Sequence, residues 1–245
     1  MPIHYLASLT ASERTARANC HLGASLAFIA GALNAGGFLA IGQYTSHMTG
    51  MLSAAADNLV LGNIPLMAVA FLSILSFACG AASTAVMVNY LKRNTDRNVY
   101  TPPLLVEAAL LLIFGLMGTN LHTHRLIHLS LTAMLLCYVM GLQNAVITKI
   151  SNAEIRTTHV TGLVTDIGIE LGKLFYWNRR PALSHGKYVI ANRRKLRVHL
   201  LLVASFFCGG VAGAFGFKYV GFSSTIPLAV GLVILSSAPM FEPQR

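Results

Sequence analysis

The sequence predicts an all-α integral membrane protein, and three observations support this fold class. The chain is 55% hydrophobic and only 11% charged, and its mean hydropathy is +0.62. Soluble domains carry about 25% charged residues, so this chain lacks the polar groups that would cover a water-facing surface. Its apolar residues form long blocks, and no segment alternates like a strand of a membrane barrel.

Six apolar blocks are long enough, or nearly so, to cross a bilayer core, which needs about 20 helical residues. These expected transmembrane helices lie at about 20–42, 66–91, 103–120, 127–149, 198–220 and 225–242. The first block follows Arg14 and Arg17, as the apolar part of a secretory signal would. It is long for a signal, and its distal motif recurs in the second half, so we expect a retained first helix.

Four short motifs occur twice, in the same order along the chain. The paired motifs begin at Gly31 and Gly141, Thr45 and Thr157, Ser76 and Ser205, and Pro103 and Pro227. This order indicates an internal duplication. We therefore divide the chain into an amino-terminal segment 1–19, a first membrane repeat 20–120 and a second membrane repeat 121–245.

Lys and Arg are concentrated in the loops that a six-helix topology places on one side. The basic residues of that side are Arg14, Arg17, Lys92, Arg93, Arg97, Lys173, Arg179, Arg180, Lys187, Arg193, Arg194, Lys195 and Arg197. Because cytoplasmic loops are enriched in Lys and Arg, we expect both termini and the basic loop 173–197 in the cytoplasm. Three crossings per half would make the second repeat an inverted copy of the first, as in many secondary transporters.

The segments 45–62 and 157–173 carry a repeated His-x-Thr-Gly motif and complicate the number of spans. Each is about long enough to cross, but each begins with polar residues and contains carboxylates. If both crossed, there would be eight spans and parallel halves, and the loop 92–97 would lie outside, against the charge pattern. We therefore predict two half-inserted or broken helices, one entering from each side of the membrane.

The starts of these two segments form the predicted functional site. Helices beginning there would direct unpaired N–H groups and a positive dipole end toward the membrane interior. Helix starts of this kind bind anions and polar solutes. The candidate solute-binding residues are Asn34, His47, Thr49, Gly50, Gln143, Asn144, His159, Thr161, Gly162, Asp166 and Glu170.

Each candidate has a functional and a structural interpretation. In the functional one, the two histidines gate or bind, and Asn34 and Asn144 hydrogen-bond the solute. Asp166 or Glu170 would carry a proton. In the structural one, the histidines only cap helices or bond between helices, and the carboxylates only reach the membrane interface. Glu107, near a helix start, is interpreted as stabilising the helix dipole and not as functional.

The motif Gly31-Ala-Leu-Asn-Ala-Gly-Gly-Phe, followed by Thr45-Ser-His-Met-Thr-Gly, resembles the signature of the YoaK-type family of bacterial membrane proteins, whose function is unknown. The second-half motif Thr157-Thr-His-Val-Thr-Gly follows the same pattern. The resemblance covers nearly the whole chain, in size, number of apolar segments and motif order. It departs at Met51, where the family pattern has Asn. It implies a bacterial cytoplasmic (inner) membrane and no particular substrate.

Three classes of function are open at this point. The leading one is a transporter or channel for a small solute or ion, with a midplane site between the two motifs. The second is a non-transporting assembly or sensor module, whose small-residue helix faces would support oligomers such as a homodimer. The third, a lipid-acting enzyme, is not expected because the metal, nucleophile-elbow and paired-aspartate motifs are missing. The cysteine spacing predicts no metal and no other cofactor. The positive charge is concentrated in a few loops, so it indicates membrane topology and not a nucleic-acid partner.

Overall fold

The computed structural model describes residues 16–94, 99–119, 125–151, 157–177 and 188–237. Within these ranges the chain is helical and contains no β-strand. The helices are α1 Ala16–Ile41, α2 Met48–Val60, α3 Ile64–Asn94, α4 Thr101–Thr119, α5 Arg125–Ile150, α6 Val160–Phe175, α7 Arg193–Tyr219 and α8 Thr225–Ser237, with a 3-10 helix at Gly221–Ser224. The predicted cytoplasmic residues Arg14, Arg97, Arg179, Arg180 and Lys187 lie outside the described residues.

Five helices of the described residues are long and apolar enough to cross a membrane, namely α1, α3, α4, α5 and α7. They agree with five of the six predicted spans and confirm the class of helical membrane protein. The sixth, predicted at 225–242, corresponds to a shorter apolar stretch described over Gly221–Ser236, and its residues 238–242 lie outside the described part of the chain. Helices α2 and α6 have 13 and 16 residues, fewer than the about 20 that a full crossing needs.

Helices α1, α4 and α5 form the core of the bundle, and α3 and α7 lie at its periphery. Between 50% and 61% of the spanning segments of the core helices is buried, against 17% for α3 and 22% for α7. The outer faces of the peripheral helices carry exposed Phe71, Leu75, Phe207 and Phe215. A continuous apolar surface of this kind is typical of contact with lipid.

Helices α1 and α7 pack in parallel with their backbones in contact. A methyl group on Gly209 would overlap the carbonyl group of Phe28, and one on Gly213 would overlap the backbone of Ala32. Each contact advances by four residues on both helices, so the two helices point the same way. Only a residue without a side chain permits this approach, as at other small-residue interfaces between membrane helices.

Helices α3 and α5 form an equivalent parallel pair. A methyl group on Gly80 would overlap the carbonyl group of Tyr138. One turn further along both helices, Thr84 Oγ1 donates to the Leu142 carbonyl oxygen at 3.0 Å. Each long helix of the first repeat therefore packs most closely on a helix of the second repeat, so the two halves form one interleaved bundle.

Helices α4 and α8 run antiparallel to each other. At one end, Thr101 Oγ1 donates to the Ser236 carbonyl oxygen at 3.0 Å. At the other end, Gly115 lies against the side chain of Thr225. The start of one helix therefore meets the end of the other.

Candidate functional site

Helix α1 ends in a turn that sends the chain back along the helix. Gly42 has a φ of +72°, a conformation that favours glycine, and its N–H donates to the Phe38 carbonyl oxygen at 2.8 Å. Four residues later the chain returns to Asn34, whose Oδ1 accepts from the Ser46 hydroxyl at 2.9 Å and from the Ser46 N–H at 3.2 Å. Helix α2 therefore begins beside Asn34 and not at the end of α1.

The second motif makes the same connection. Asn144 Oδ1 accepts from Thr158 Oγ1 at 2.7 Å, while Asn144 Nδ2 donates to the Met140 carbonyl oxygen at 2.8 Å. Helix α6 then begins at Val160. In both halves, an asparagine of the preceding long helix binds the hydroxyl of the residue before the histidine.

These contacts set the depth at which the two short helices begin. Asn34 precedes the end of α1 at Ile41 by seven residues, and Asn144 precedes the end of α5 at Ile150 by six. With a rise of 1.5 Å per residue, both asparagines lie about 10 Å inside the helix ends. The starts of α2 and α6 therefore lie at this depth along the bundle and not level with the helix ends.

His47 and His159 immediately precede α2 and α6, and their rings have equivalent positions. A methyl group on Gly50 would overlap the His47 ring, and one on Gly162 would overlap the His159 ring. Neither imidazole caps its helix by a hydrogen bond within the described residues, which disfavours the cap interpretation. Both histidines are exposed. Because glycine has no side chain, each imidazole ring can lie directly over the first turn of its helix.

Four threonines occupy equivalent positions in the two motifs and divide into two kinds. Thr49 and Thr161, which were predicted to bind solute, are exposed in the first helical turn. Thr45 and Thr157 are fully buried, and their hydroxyl oxygens have no hydrogen-bond partner in the part of the chain that the structure describes. They were not among the predicted site residues, although their shared position at the start of the repeated motif was an available signal.

Glu170 attaches α6 to the segment before α7. Its carboxylate accepts from Lys173 Nζ at 2.8 Å and from the Asn192 backbone N–H at 2.6 Å. The hydrogen bond from Lys173, followed by that from Asn192, lowers the pKa of Glu170 below its ordinary value. Glu170 is therefore an ionised anchor near the end of α6, remote from the helix start where the solute site was predicted.

Asp166 also contacts the start of α7. Its Oδ2 lies 3.2 Å from Lys195 Nζ and 3.7 Å from His199 Nδ1. It lies about two turns beyond His159 along α6. The structure therefore brings Asp166 to the basic start of α7 and separates it from the contact between the second motif and α5.

Gln143 points away from the second motif and toward α4. Its Nε2 donates to Glu107 Oε1 at 2.8 Å, and both side chains are fully buried. Glu107 lies beyond the first turn of α4, which contains no acidic residue, and the dipole effect is confined to that turn. The dipole interpretation of Glu107 is therefore wrong, because this carboxyl group belongs to a contact between helices.

The comparisons with known proteins agree with the sequence resemblance. A family model described as Protein of unknown function (DUF1275) matches residues 22–238. No curated protein and no solved structure matches the chain. The matched range includes both His-x-Thr-Gly motifs, both asparagines and the contact between Gln143 and Glu107, and it confirms the resemblance to a family of unknown function. The chain belongs to the DUF1275 family, an uncharacterised family whose member here is a helical membrane protein.

Proposed function

We propose that this protein moves a small solute or ion across a bacterial cytoplasmic membrane. The proposal rests on an equivalent hydrogen bond in each half. Asn34 bonds to Ser46 in the first half, and Asn144 bonds to Thr158 in the second. Each holds the start of a short helix about 10 Å inside the bundle. Helices interrupted at membrane depth form the solute sites of many transporters.

We further propose that the two halves have inverted topology. The antiparallel contact of α4 with α8 supports this, because these helices are equivalent in the duplication. Helix α5 is also antiparallel to α4. Tyr100 Oη donates to the Lys149 carbonyl oxygen at 3.4 Å, and seven residues further along α4, Glu107 meets Gln143, which lies six residues earlier on α5.

A second equivalent pair, α1 and α5, agrees with the same arrangement. Phe114 lies in the second half of α4, and its ring is 6.2 Å from that of Phe217 in the last turn of α7, so these helices point the same way. Helix α1 is parallel to α7, as the contact of Gly209 with Phe28 indicates. Helix α1 is therefore antiparallel to α5, and the two motifs approach the membrane interior from opposite sides.

We place both termini in the cytoplasm. Lys149 Nζ donates to Asn89 Oδ1 at 3.3 Å, and Lys92 Nζ lies 5.8 Å from the centroid of the Tyr100 ring. The ends of α3 and α5 and the start of α4 thus meet at one end of the bundle. This end is rich in basic residues, as the cytoplasmic side of membrane proteins usually is.

The chemistry of the two helix starts favours a solute with electronegative atoms. The first turns of α2 and α6 present N–H groups and the positive end of a helix dipole. The hydroxyls of Thr45 and Thr157, which lack partners within the described residues, add two buried groups that can donate. We therefore favour an anion or a polar solute that carries oxygen atoms.

We propose that the protein is not an enzyme, because its sequence has none of the metal, nucleophile-elbow or paired-aspartate motifs. Its proposed partners are the bilayer, the solute and, in a homodimer, a second copy of the chain.

A flux screen in proteoliposomes tests the proposal. Labelled anions, amino acids and cations are offered to the purified protein while internal pH is followed. We expect uptake of at least one solute class, and a decrease of about tenfold in the His47→Ala/His159→Ala variant, because both rings lie over the helix starts. Gly168→Ala is the matched control in α6, since nothing lies near that position, and it should keep full flux.

Two results would contradict the proposal. Full flux through the folded double variant would place the solute site away from the two motifs. A folded wild-type protein that moves none of the solutes would reject transport and favour the assembly or sensor module.

A further inference from the structure

A buried carboxyl group lies apart from the two motifs, in the contact between α4 and α5. Glu107 accepts a hydrogen bond from the amide nitrogen of Gln143, and both residues are fully buried. Glu107 Oε2 and Gln143 Oε1 are also buried, and neither has a hydrogen-bond partner within the described residues. One pair of side chains thus contains two oxygen atoms that lack a donor.

No basic side chain of the described ranges pairs with Glu107. The helices packed most closely against α4 are α5, α8, α3 and the 3-10 helix, and α8 and the 3-10 helix contain no titratable residue. Helix α7 meets α4 at Phe114, about two turns from Glu107. The structure describes side chains over 64–94 of α3 and 131–150 of α5, and the titratable ones there are Cys79, Tyr90, Lys92, Arg93, Cys137, Tyr138 and Lys149. The three basic ones lie at helix ends, where Lys149 binds Asn89 and Lys92 lies over a tyrosine ring.

An ionised Glu107 would leave a charge among apolar helices with one neutral donor as its only described partner, and such burial is costly. A single proton on Oε2 removes the charge and supplies a donor. The buried Gln143 Oε1 is an acceptor that lacks a described donor. We propose that Glu107 is a proton-binding site, occupied at neutral pH, in which acid and amide pair reciprocally: the amide N–H donates to one carboxyl oxygen, and the acid O–H donates to the amide oxygen.

The proposed proton site has no counterpart in the other half of the molecule. Counted from the paired proline and glycine motifs, Gly231 occupies the position of Glu107, and Leu33 occupies that of Gln143. Within the described residues the duplication therefore leaves one such site, which lies between a helix of the first repeat and a helix of the second. Protonation of Glu107 therefore depends on the packing between the two halves.

If the transport function proposed above is right, the proton on Glu107 is the coupling ion. Its release to water leaves an anion and two acceptor oxygens without donors, so the buried pair cannot persist unchanged. Helices α4 and α5 must separate enough to admit water to Glu107. A conformational change that opens this contact would then couple proton release to movement of the solute.

Infrared difference spectroscopy of the purified protein at neutral pH tests the proton site without a flux measurement. Subtracting the Glu107→Gln spectrum from that of the wild type should leave the carbonyl band of one protonated carboxyl group, which shifts in D₂O. The matched control is Asp57→Asn, which removes an exposed acid and should instead remove a carboxylate band. If the Glu107 difference spectrum contained carboxylate bands and no band of a protonated carboxyl group, the proposal would be overturned.

A second variant keeps the test decisive if Glu107→Gln does not fold. Gln143→Leu removes the amide partner, so the protonated carboxyl band should move to higher frequency. An unchanged band would reject the reciprocal pair.

Flux measurements then separate the proton site from the transport function. In proteoliposomes, Glu107→Gln should lose proton movement that accompanies solute uptake, while solute exchange without a proton gradient persists. Unchanged proton movement would reject the coupling role even when the infrared band is present. If the wild type moves no solute, the transport proposal fails, and the infrared result still decides whether Glu107 binds a proton.

Discussion

The two short helices follow the same backbone path but differ in charge. Each follows a histidine whose ring covers a glycine, and each is held by an asparagine of the preceding long helix. Beyond that point, the acidic residue of α2 is the exposed Asp57. Helix α6 instead carries two acidic residues, Asp166 and Glu170, in contact with the start of α7 and the residue before it. The shared helix starts are therefore the candidates for a common function, and the charged part of α6 is an anchor of one half.

A second difference separates α4 from α8. Helix α4 packs on α5 through the buried Glu107, whereas α8 leaves an open groove of about 520 Å³ beside α1. Phe28, Ser205 and Gly231 are among the residues that line this groove. The glycine at the position equivalent to Glu107 leaves space where the other half has a carboxyl group. The two halves are thus alike at the motifs and unlike at their last helices.

The largest expected effect tests whether the halves are held together by equivalent contacts. Gly80→Ala and Gly209→Ala should each lower the free energy of unfolding by about 1–3 kcal/mol, because the added methyl group overlaps a backbone carbonyl group. Gly168→Ala is the control, and the higher helix propensity of alanine makes it neutral or slightly stabilising. Unfolding in detergent micelles measures the three variants. If one variant matched the control, the two helix pairs would not be equivalent.

An intermediate effect is expected at the two asparagines. Asn34→Ala removes two hydrogen bonds from Ser46, and Asn144→Ala removes one from Thr158 and one to the Met140 carbonyl oxygen. At about 1 kcal/mol for each lost hydrogen bond, the two variants should lose similar amounts of stability. Both variants should lose solute flux, since each releases a helix start. A larger loss of stability at Asn144 would show that the second motif, and not the first, is held more firmly.

The smallest effect concerns the anchor that only the second half has. The pKa of Glu170 is lowered in the folded protein, so its contribution to stability is present above the ordinary value of 4.5 and is lost as the pH falls through the lowered pKa. Thermal unfolding between neutral and acidic pH should therefore show a smaller decrease in Glu170→Gln than in the wild type. Asp57→Asn, the matched change on α2, should leave the wild-type pH profile unaltered. Parallel profiles for wild type and Glu170→Gln would show that the anchor does not stabilise the fold.

Hydropathy predicted the long helices but not all of their ends. The predicted span 198–220 matches α7 over its apolar part and misses the polar start at Arg193, because a hydropathy pattern reports membrane depth and not helix length. The predicted span 225–242 begins where α8 begins, and its last residues lie outside the described part of the chain. The motif starts were predicted correctly as helix starts, because repeated polar residues before an apolar run are a local signal.

The partners of the acidic residues could not be predicted in the same way. Glu107 meets Gln143 on the next helix, and Glu170 meets Asn192 across a long loop. Each of these contacts depends on how two helices are rotated relative to each other. Each helix is apolar on most of its surface, so its sequence does not indicate which face meets the neighbouring helix.

The sequence by itself determined the helical membrane class, the repeated motifs and the family, because apolar block length and motif order are local properties. Only the tertiary structure decided that α1 packs on α7 and α3 on α5, that Glu107 faces Gln143, and that the carboxylates of α6 face the start of α7. The physical reason is that lipid and protein interior are both apolar. Hydrophobicity therefore does not distinguish the helix face that meets protein from the face that meets lipid, and close packing of small residues makes that choice.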